Sequence, residues 1–533
     1  MNLDVAVEQN KSKKNIPLWL IAFTILLPTA FAMFATSETN VAIPYIAGFY
    51  GSTLDEANWI ITSYMIANAI TLPMTAWFEN LMGRTNFLKV FIGLFTLGSL
   101  LCAVAPSLNM MILGRLIQGI GGGPLQPISQ AILFACFPFE KRGQAMALFA
   151  LSVMVSSIMG PTIGGFIVEH LSWKWIYLMN IPVGIISCFL VQFFIPEPEE
   201  RHKPKKVDYV GFSLLVIWLM TMQVVLDKGE QYNWFDTTWV VWLSGISFFS
   251  FVFFVVWEIE NKEPMVNLRI LKDRNFAIGT YLAAFVNMII YVTIVLLPKY
   301  LQSIIGYTAY LSGLSLAPRV VSCLIMLTFV DRLVAKIDNR ILVAIGFFFI
   351  GLSTYYYTNL TLMTSFGYLV LPNMILGVGV ILTTVPLSAL ALGTLPKSEL
   401  SNGAGLHSLA KNVATVTSIS LSSTMVARLS QAHQTHLVGN LAMTNPVFFH
   451  KFGVMSHKFM SSLPMYSAQI KANALYYKQL IVQSKIFAYV DVFALFAIVS
   501  FFMIPLAFAL NVDFKKKISE EKLKMPVKQE ESA

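Results

Sequence analysis

Four ionisable side chains interrupt long uncharged runs of the sequence: Glu38, Arg115, Arg319 and Lys411. An ionised group in hydrocarbon is costly unless it is paired, reaches water or changes its protonation, so such residues usually line functional cavities. Glu38 is the acid among them, and its chemistry would be proton uptake and release, driven by alternation between apolar burial and a nearby cation. Arg115 is the candidate cation. The run "MFATSETNVAIP" is expected to break at Pro44, and the fourth apolar run opens at Leu108. Glu38 and Arg115 then both stand roughly 10 Å below one membrane surface at 1.5 Å of rise per residue. Three roles are open for Glu38: a proton-coupling carboxyl, half of a fixed ion pair, or a rim carboxylate bathed in external water.

Arg319 and Lys411 fall near the middle of their runs, where neither is expected to face lipid. Lys411 has His407 one helical turn before it, and these three, with Asn40 and Gln118, are the candidate lining of a substrate cavity. Arg319 fits an anionic group of a substrate and a silent acid partner equally well. Asp227 and Asp491 stand at the outer ends of their runs and complete the candidate proton-coupling set with Glu38 and Arg115.

The elements that hold these residues are membrane spans. The 533 residues are 56% hydrophobic and only 12% charged, with a mean hydropathy of +0.67, more apolar surface than one soluble core of this length can hide. A crossing helix needs about 20 apolar residues, and fourteen candidates occur: 17–43, 56–78, 86–105, 108–136, 144–168, 174–195, 209–227, 238–257, 276–298, 308–330, 341–359, 366–393, 403–427 and 486–511. The expected fold is an all-α membrane protein. Its organisation reads as a terminus (1–16), a six-helix bundle (17–195), a Pro-rich charged linker (196–208) and two additional helices (209–257). A second linker (258–275), a second six-helix bundle (276–511) with a long external loop (428–485), and a tail (512–533) follow.

Lysines and arginines test that topology: 25 of 37 fall on the side of the termini and 9 on the opposite side, which puts both termini in the cytoplasm. Their spread over short loops argues against nucleic acid as a partner of this +9 chain. Cys102, Cys136, Cys188 and Cys323 all sit in apolar runs without metal-like spacing and read as free thiols. His433, His436, His450 and His457 of the external loop are irregularly spaced, so no metal site is expected. The segment "SAQIKANALYYKQLIVQSK" in that loop suits an amphipathic helix. No phosphate loop or nucleophile constellation is present: "GIGGGP" lacks the Lys-Ser/Thr of a Walker loop, so ATP is not the expected energy source.

Two glycine-rich stretches, "LGRLIQGIGGGP" (113–124) and "SSIMGPTIGGF" (156–166), occupy the fourth and fifth spans. Such faces let helix backbones approach closely, and Pro161 removes a helix donor. In this order they resemble the fourth-helix and fifth-helix signatures of the major facilitator superfamily, with Gly160, Pro161, Gly164 and Gly165 matching the antiporter motif of its exporters. "WKWIYLMNIPVG" (173–184), "VDYVGFSLL" (207–215), "PMVNLRILKDRNFAIG" (264–279) and "LPKYLQSIIGYTAYLSGLSLAP" (297–318) are similar to the fourteen-span drug:H+ antiporter branch of EmrB/QacA type. The long external loop looks specifically EmrB-like. Two departures stand out. Between spans two and three, "AWFENLMGR" keeps Gly83 and Arg84 but has Asn80 and Leu81 where the family carries an acid and a base, with Glu79 one position earlier. In the first span the family's aspartate position is Ala35, and Glu38 lies about one turn later.

The resemblance implies the major facilitator fold and a multidrug exporter of hydrophobic or amphipathic compounds. Substrate would bind between two rocking six-helix bundles, and the proton gradient, not a cofactor, would supply the drive. It further implies a bacterial inner membrane location, with a periplasmic adaptor and an outer-membrane channel as partners docking on the external loop. The alternatives are a dedicated exporter of an anionic metabolite or fatty acid, and a membrane receptor that moves nothing.

Overall fold

A computed structural model of the chain describes residues 17–138, 141–195, 208–261, 264–396, 399–442 and 444–510. Most of the 196–208 linker, both termini and part of the 258–275 linker lie outside the described residues. Among the described residues eleven helices are long and apolar enough to cross a membrane. The other three expected spans are helices of a different kind. Span two is Trp59–Thr71 (α2) followed by Thr75–Met82, and span four is Leu108–Gly122 (α4) followed by Leu125–Cys136 (α5), so each breaks into two short pieces. Span thirteen lies in Leu400–Val438 (α14), whose serines, threonines and histidines keep it too polar to stand out. The chain is a multi-pass membrane protein.

The first span is longer than its sequence suggested. Helix α1 runs Leu18–Tyr50 with Pro28 and Pro44 inside it, and stops only at Gly51, whose φ of 64° closes the left-handed cap. Pro44 therefore does not break the chain. Proline in a membrane helix is tolerated where neighbouring groups re-satisfy the freed backbone. Its inclusion moves Glu38 from near an end to twelve residues before Tyr50, roughly 18 Å from that terminus.

The chain divides into two compact units. The first comprises Met1–Leu219, Ser250–Arg269 and Leu395–Leu409, and the second Met220–Phe249, Ile270–Thr394 and Ala410–Ala533, in each case over the described residues. This division runs through both additional helices, Tyr209–Lys228 (α8) and Thr238–Glu260 (α9). Hydrogen bonds at the two ends follow the same division. One end of the pair is tied within the first unit by Trp257 to Asp208, whereas the other end is tied within the second by Ser420 to Leu226 O at 2.7 Å and Trp234 to Thr424.

Within the first unit α1 packs along Arg142–His170 (α6), and α4 packs between α2 and Arg84–Val104 (α3). Asn180–Phe194 (α7) closes against α3 and α1. The second unit centres on Phe366–Gly393 (α13), against which Arg274–Tyr300 (α10), Ala317–Lys336 (α11) and Asn339–Tyr356 (α12) pack.

The segment 428–485 is mostly helix rather than irregular loop. Helix α14 continues to Val438, Pro446–Met460 (α15) follows, and the final helix Met465–Ala507 (α16) begins well before its apolar part. Asn445 caps α15 by accepting from Val447 N at 3.0 Å, and Pro446 fills the first helical position. Phe448 and Phe452 bury against Ala472, with Phe459 and Tyr476 beside them, which gives this hairpin an apolar seam of its own. At 43 residues, α16 is about 64 Å long, twice the hydrocarbon thickness.

Candidate functional site

Glu38 is fully buried in the first unit, and the glycines of the fifth-span motif are what leave room for it. A Cβ on Gly160 would stand 2.0 Å from Ser37 Oγ and 3.0 Å from Glu38 N, and one on Gly164 would stand 3.0 Å from Glu38 Cβ. At Gly160, where a Cβ would also stand 2.8 Å from Ser37 Cβ, real side chains do not approach so closely, and at Gly164 the fit would be tighter than ordinary contact, so glycine lets α6 seat directly on the turn of α1 that carries the acid. Gly165 has an ordinary contact instead, 3.8 Å to Val41. Ser37 Oγ reaches across to Ser156 O at 3.5 Å.

Arg115 is also fully buried and lies within electrostatic reach of Glu38. Its hydrogen bonds go elsewhere. Nε donates to Ile60 O at 3.0 Å and Nη1 to Gln118 Oε1 at 2.5 Å, while the guanidinium lies 4.3 Å from the Tyr64 ring centroid. Gln118 in turn donates to Ser99 Oγ at 2.6 Å. Neither carboxylate oxygen of Glu38 has a hydrogen-bond partner, and neither does Arg115 Nη2. The expected Glu38–Arg115 meeting is therefore a shared enclosure without a bond. Asn180 lies beside the carboxyl, its own Oδ1 unpartnered and its Nδ2 turned to Ile176 O at 3.3 Å. Tyr177 hydrogen-bonds Thr39 at 3.4 Å. Sequence reasoning singled out neither Asn180 nor Tyr177, although both fall in the quoted stretch "WKWIYLMNIPVG".

The loop between spans two and three resolves its own departure from the family pattern. Glu79 Oε1 accepts from Arg84 Nε at 2.7 Å, both side chains being nearly buried. Its Oε2 accepts from Ser401 Oγ at the start of α14. Gly83, at φ 84°, turns the chain between acid and base. Glu79, one position before the family's acid, is thus the acid that pairs with Arg84 here. Glu79→Ala leaves Arg84 without this partner and is expected to destabilise the protein by about 3 kcal/mol. Replacing the exposed Leu81 by Ala should change stability by less than about 0.5 kcal/mol. Thermal unfolding in detergent checks both, and equal melting temperatures would contradict the assignment.

The remaining candidates each have partners of their own. Asn40 is exposed and donates to Thr36 O at 3.3 Å. Arg319, fully buried in the second unit, donates from Nη2 to Asn373 Oδ1 at 3.0 Å. Lys411 is half-buried on α14, where its carbonyl accepts from Asn287 at 3.1 Å, and His407 is buried one turn earlier. Asp227 is exposed at the end of α8. Asp491 is bonded to His433 at 2.7 Å, half-exposed on α16. Among the described residues no group of three or more His, Cys, Asp and Glu side chains is arranged to hold a metal ion.

Comparison with known proteins adds family and fold. The sequence model described as Major Facilitator Superfamily matches residues 25–418. The chain is 33% identical to the probable multidrug resistance protein EmrY of Escherichia coli (strain K12) over 448 residues, 84% of this chain and 87% of that one. It is also 33% identical to the multidrug export protein EmrB of the same strain, over 83% of this chain and 86% of that one. Among solved structures, the human organic anion transporter MFSD10 (TETRAN) superimposes with a TM-score of 0.54 at 12% identity, covering 92% of this chain and 99% of that one. That likeness bears on the fold alone.

Proposed function

This chain belongs to the Major Facilitator Superfamily, a family of transporters, and on that premise we propose that it is a proton-driven exporter of hydrophobic and amphipathic compounds. The names of its bacterial relatives, multidrug export protein and multidrug resistance protein, support the substrate class. The observation that carries the proton reading is Glu38: fully enclosed, without a hydrogen-bond partner, and seated on the exporter-motif glycines. An ionised carboxylate in that position would bear a desolvation cost that Arg115, bonded elsewhere, and Asn180 offset only in part, whereas a protonated one would not. Arg115 keeps Nη2 uncommitted. A conformation that exposes Glu38 to water or closes it onto that nitrogen would favour the ionised form, so the two conformations would bind a proton with different affinity. Coupling that difference to alternating access turns an inward flow of protons into outward transport.

The location that goes with this reading is a bacterial inner membrane with both termini in the cytoplasm, an orientation that the lysine and arginine bias supports. The helical hairpin of 428–485 would then project outside, as the surface for a periplasmic adaptor and outer-membrane channel. Inverted vesicles test the function. A fluorescent amphipathic cation should accumulate in them only while the proton gradient stands, and an uncoupler should return it to the level of empty vesicles. Accumulation that survives the uncoupler, or saturable binding without uptake, would contradict the proposal.

A further inference from the structure

A second acid pair, at the ends of the two additional helices, has no part in the reading above. Asp208 and Glu258 lie just beyond spans 209–227 and 238–257, on the side that the charge bias assigns to the cytoplasm. Asp208 caps α8: its Oδ1 accepts from Gly211 N at 2.9 Å. Trp257 Nε1 donates to both of its oxygens, at 2.9 and 3.1 Å, and Asn261 Nδ2 donates to Oδ2 at 2.7 Å. This carboxylate is richly supplied with donors.

Glu258 is its opposite. The side chain is fully buried, Oε2 accepts a long bond from Val266 N at 3.4 Å, the Met265 backbone N–H lies beside the carboxyl, and Oε1 has no hydrogen-bond partner. Gly211 locates the two acids against each other. A Cβ there would stand 2.6 Å from Asp208 Oδ2 and 2.7 Å from Glu258 Oε1, so those oxygens are no more than about 5.3 Å apart. Among the described residues the charged group facing Glu258 is Asp208. Arg269, the nearby cation, is turned instead to the carbonyls of Ile259 and Asn261, at 2.9 and 2.8 Å.

We infer that Asp208 and Glu258 form a proton-binding site separate from Glu38, in which Asp208 is the ionised member and Glu258 carries the proton at Oε1. Two carboxyl groups this close in a buried place hold one proton between them before both ionise, and the N–H donors decide which member gives it up. The ligand is the hydrogen ion itself. The site leads towards the cytoplasmic loop pair through a chain of contacts. Val266 bonds Glu258, and Asn267 bonds Asn402 and Glu399, each at 3.3 Å. Ser401 bonds Glu79. Loss of the proton places like charges side by side and loosens the 264–269 segment from Glu258.

Infrared spectra of the purified full-length protein, titrated from acid to alkaline pH, test this site. The wild type should lose a carboxylic-acid carbonyl band that Glu258→Gln lacks and Glu38→Gln retains. Should Glu258→Gln fail to fold, Asp208→Asn serves: by removing the like charge it should move the midpoint of the same band about one pH unit or more towards acid. A band unchanged by Glu258→Gln, or a midpoint unmoved by Asp208→Asn, would overturn the inference. Because Glu38→Gln leaves the band in place, failure here is distinct from failure of the export reading.

Discussion

Inverted vesicles carrying Glu38→Gln are expected to accumulate no substrate above the level of vesicles lacking the protein, while equilibrium substrate binding stays within about threefold of wild type, less than 1 kcal/mol. Glutamine keeps the volume of the side chain and its place on α1, so the close seating of Gly160 and Gly164 is undisturbed. What it removes is the ability to exist in two protonation states. An enclosed neutral amide mimics the protonated carboxyl, and the cycle stops where that proton should leave. A variant that pumps like wild type would remove Glu38 from the mechanism. One that loses binding as well would make it part of the substrate site instead.

The second large effect separates glycines within a single motif. Gly160→Val should abolish transport and lower stability by about 1–3 kcal/mol, the cost of overpacking a well-filled contact, because even its Cβ falls on Ser37 and the backbone of Glu38. Gly165→Ala, whose new atom meets Val41 at 3.8 Å, should stay within about 0.5 kcal/mol of wild type and keep transporting. Ser37→Gly added to Gly160→Ala relieves the nearest collision and should recover part of the loss, a coupling that independent sites would not show. Thermal melts and vesicle uptake of the wild type and each of these variants, with Ser37→Gly alone to close the cycle, check this. Equal tolerance at positions 160 and 165 would mean that α6 does not seat on α1 as described.

Much of the fold was legible because lipid leaves the backbone few options, so apolar length alone marks most helices. The exceptions are physical. Gly123 and Pro124 divide span four, and Leu72 to Met74 divide span two. In span thirteen, small hydroxyl residues are carried in a helix largely sheltered by protein. Pro44 reads as a stop in sequence yet lies within α1, which placed Glu38 too near an end. At the site, the acid, the arginine and the glycine motif were each visible as residues out of place in hydrocarbon. Their mutual geometry was not: that Arg115 spends its donors on Ile60 and Gln118, leaving Glu38 unbonded, depends on side-chain directions that spacing does not carry. Asn180 and Tyr177 escaped notice because an amide and a phenol in an apolar run raise no alarm comparable to a charge. The pairing of Glu79 with Arg84 needed the turn at Gly83 to be seen.

Substrate-induced proton release from the purified protein, followed with a pH-sensitive dye in weak buffer, tests the central claim most directly. Wild-type protein should release protons in proportion to substrate bound, and Glu38→Gln, binding the same substrate, should release none. Equal release from the two proteins would contradict the assignment of the transported proton to Glu38.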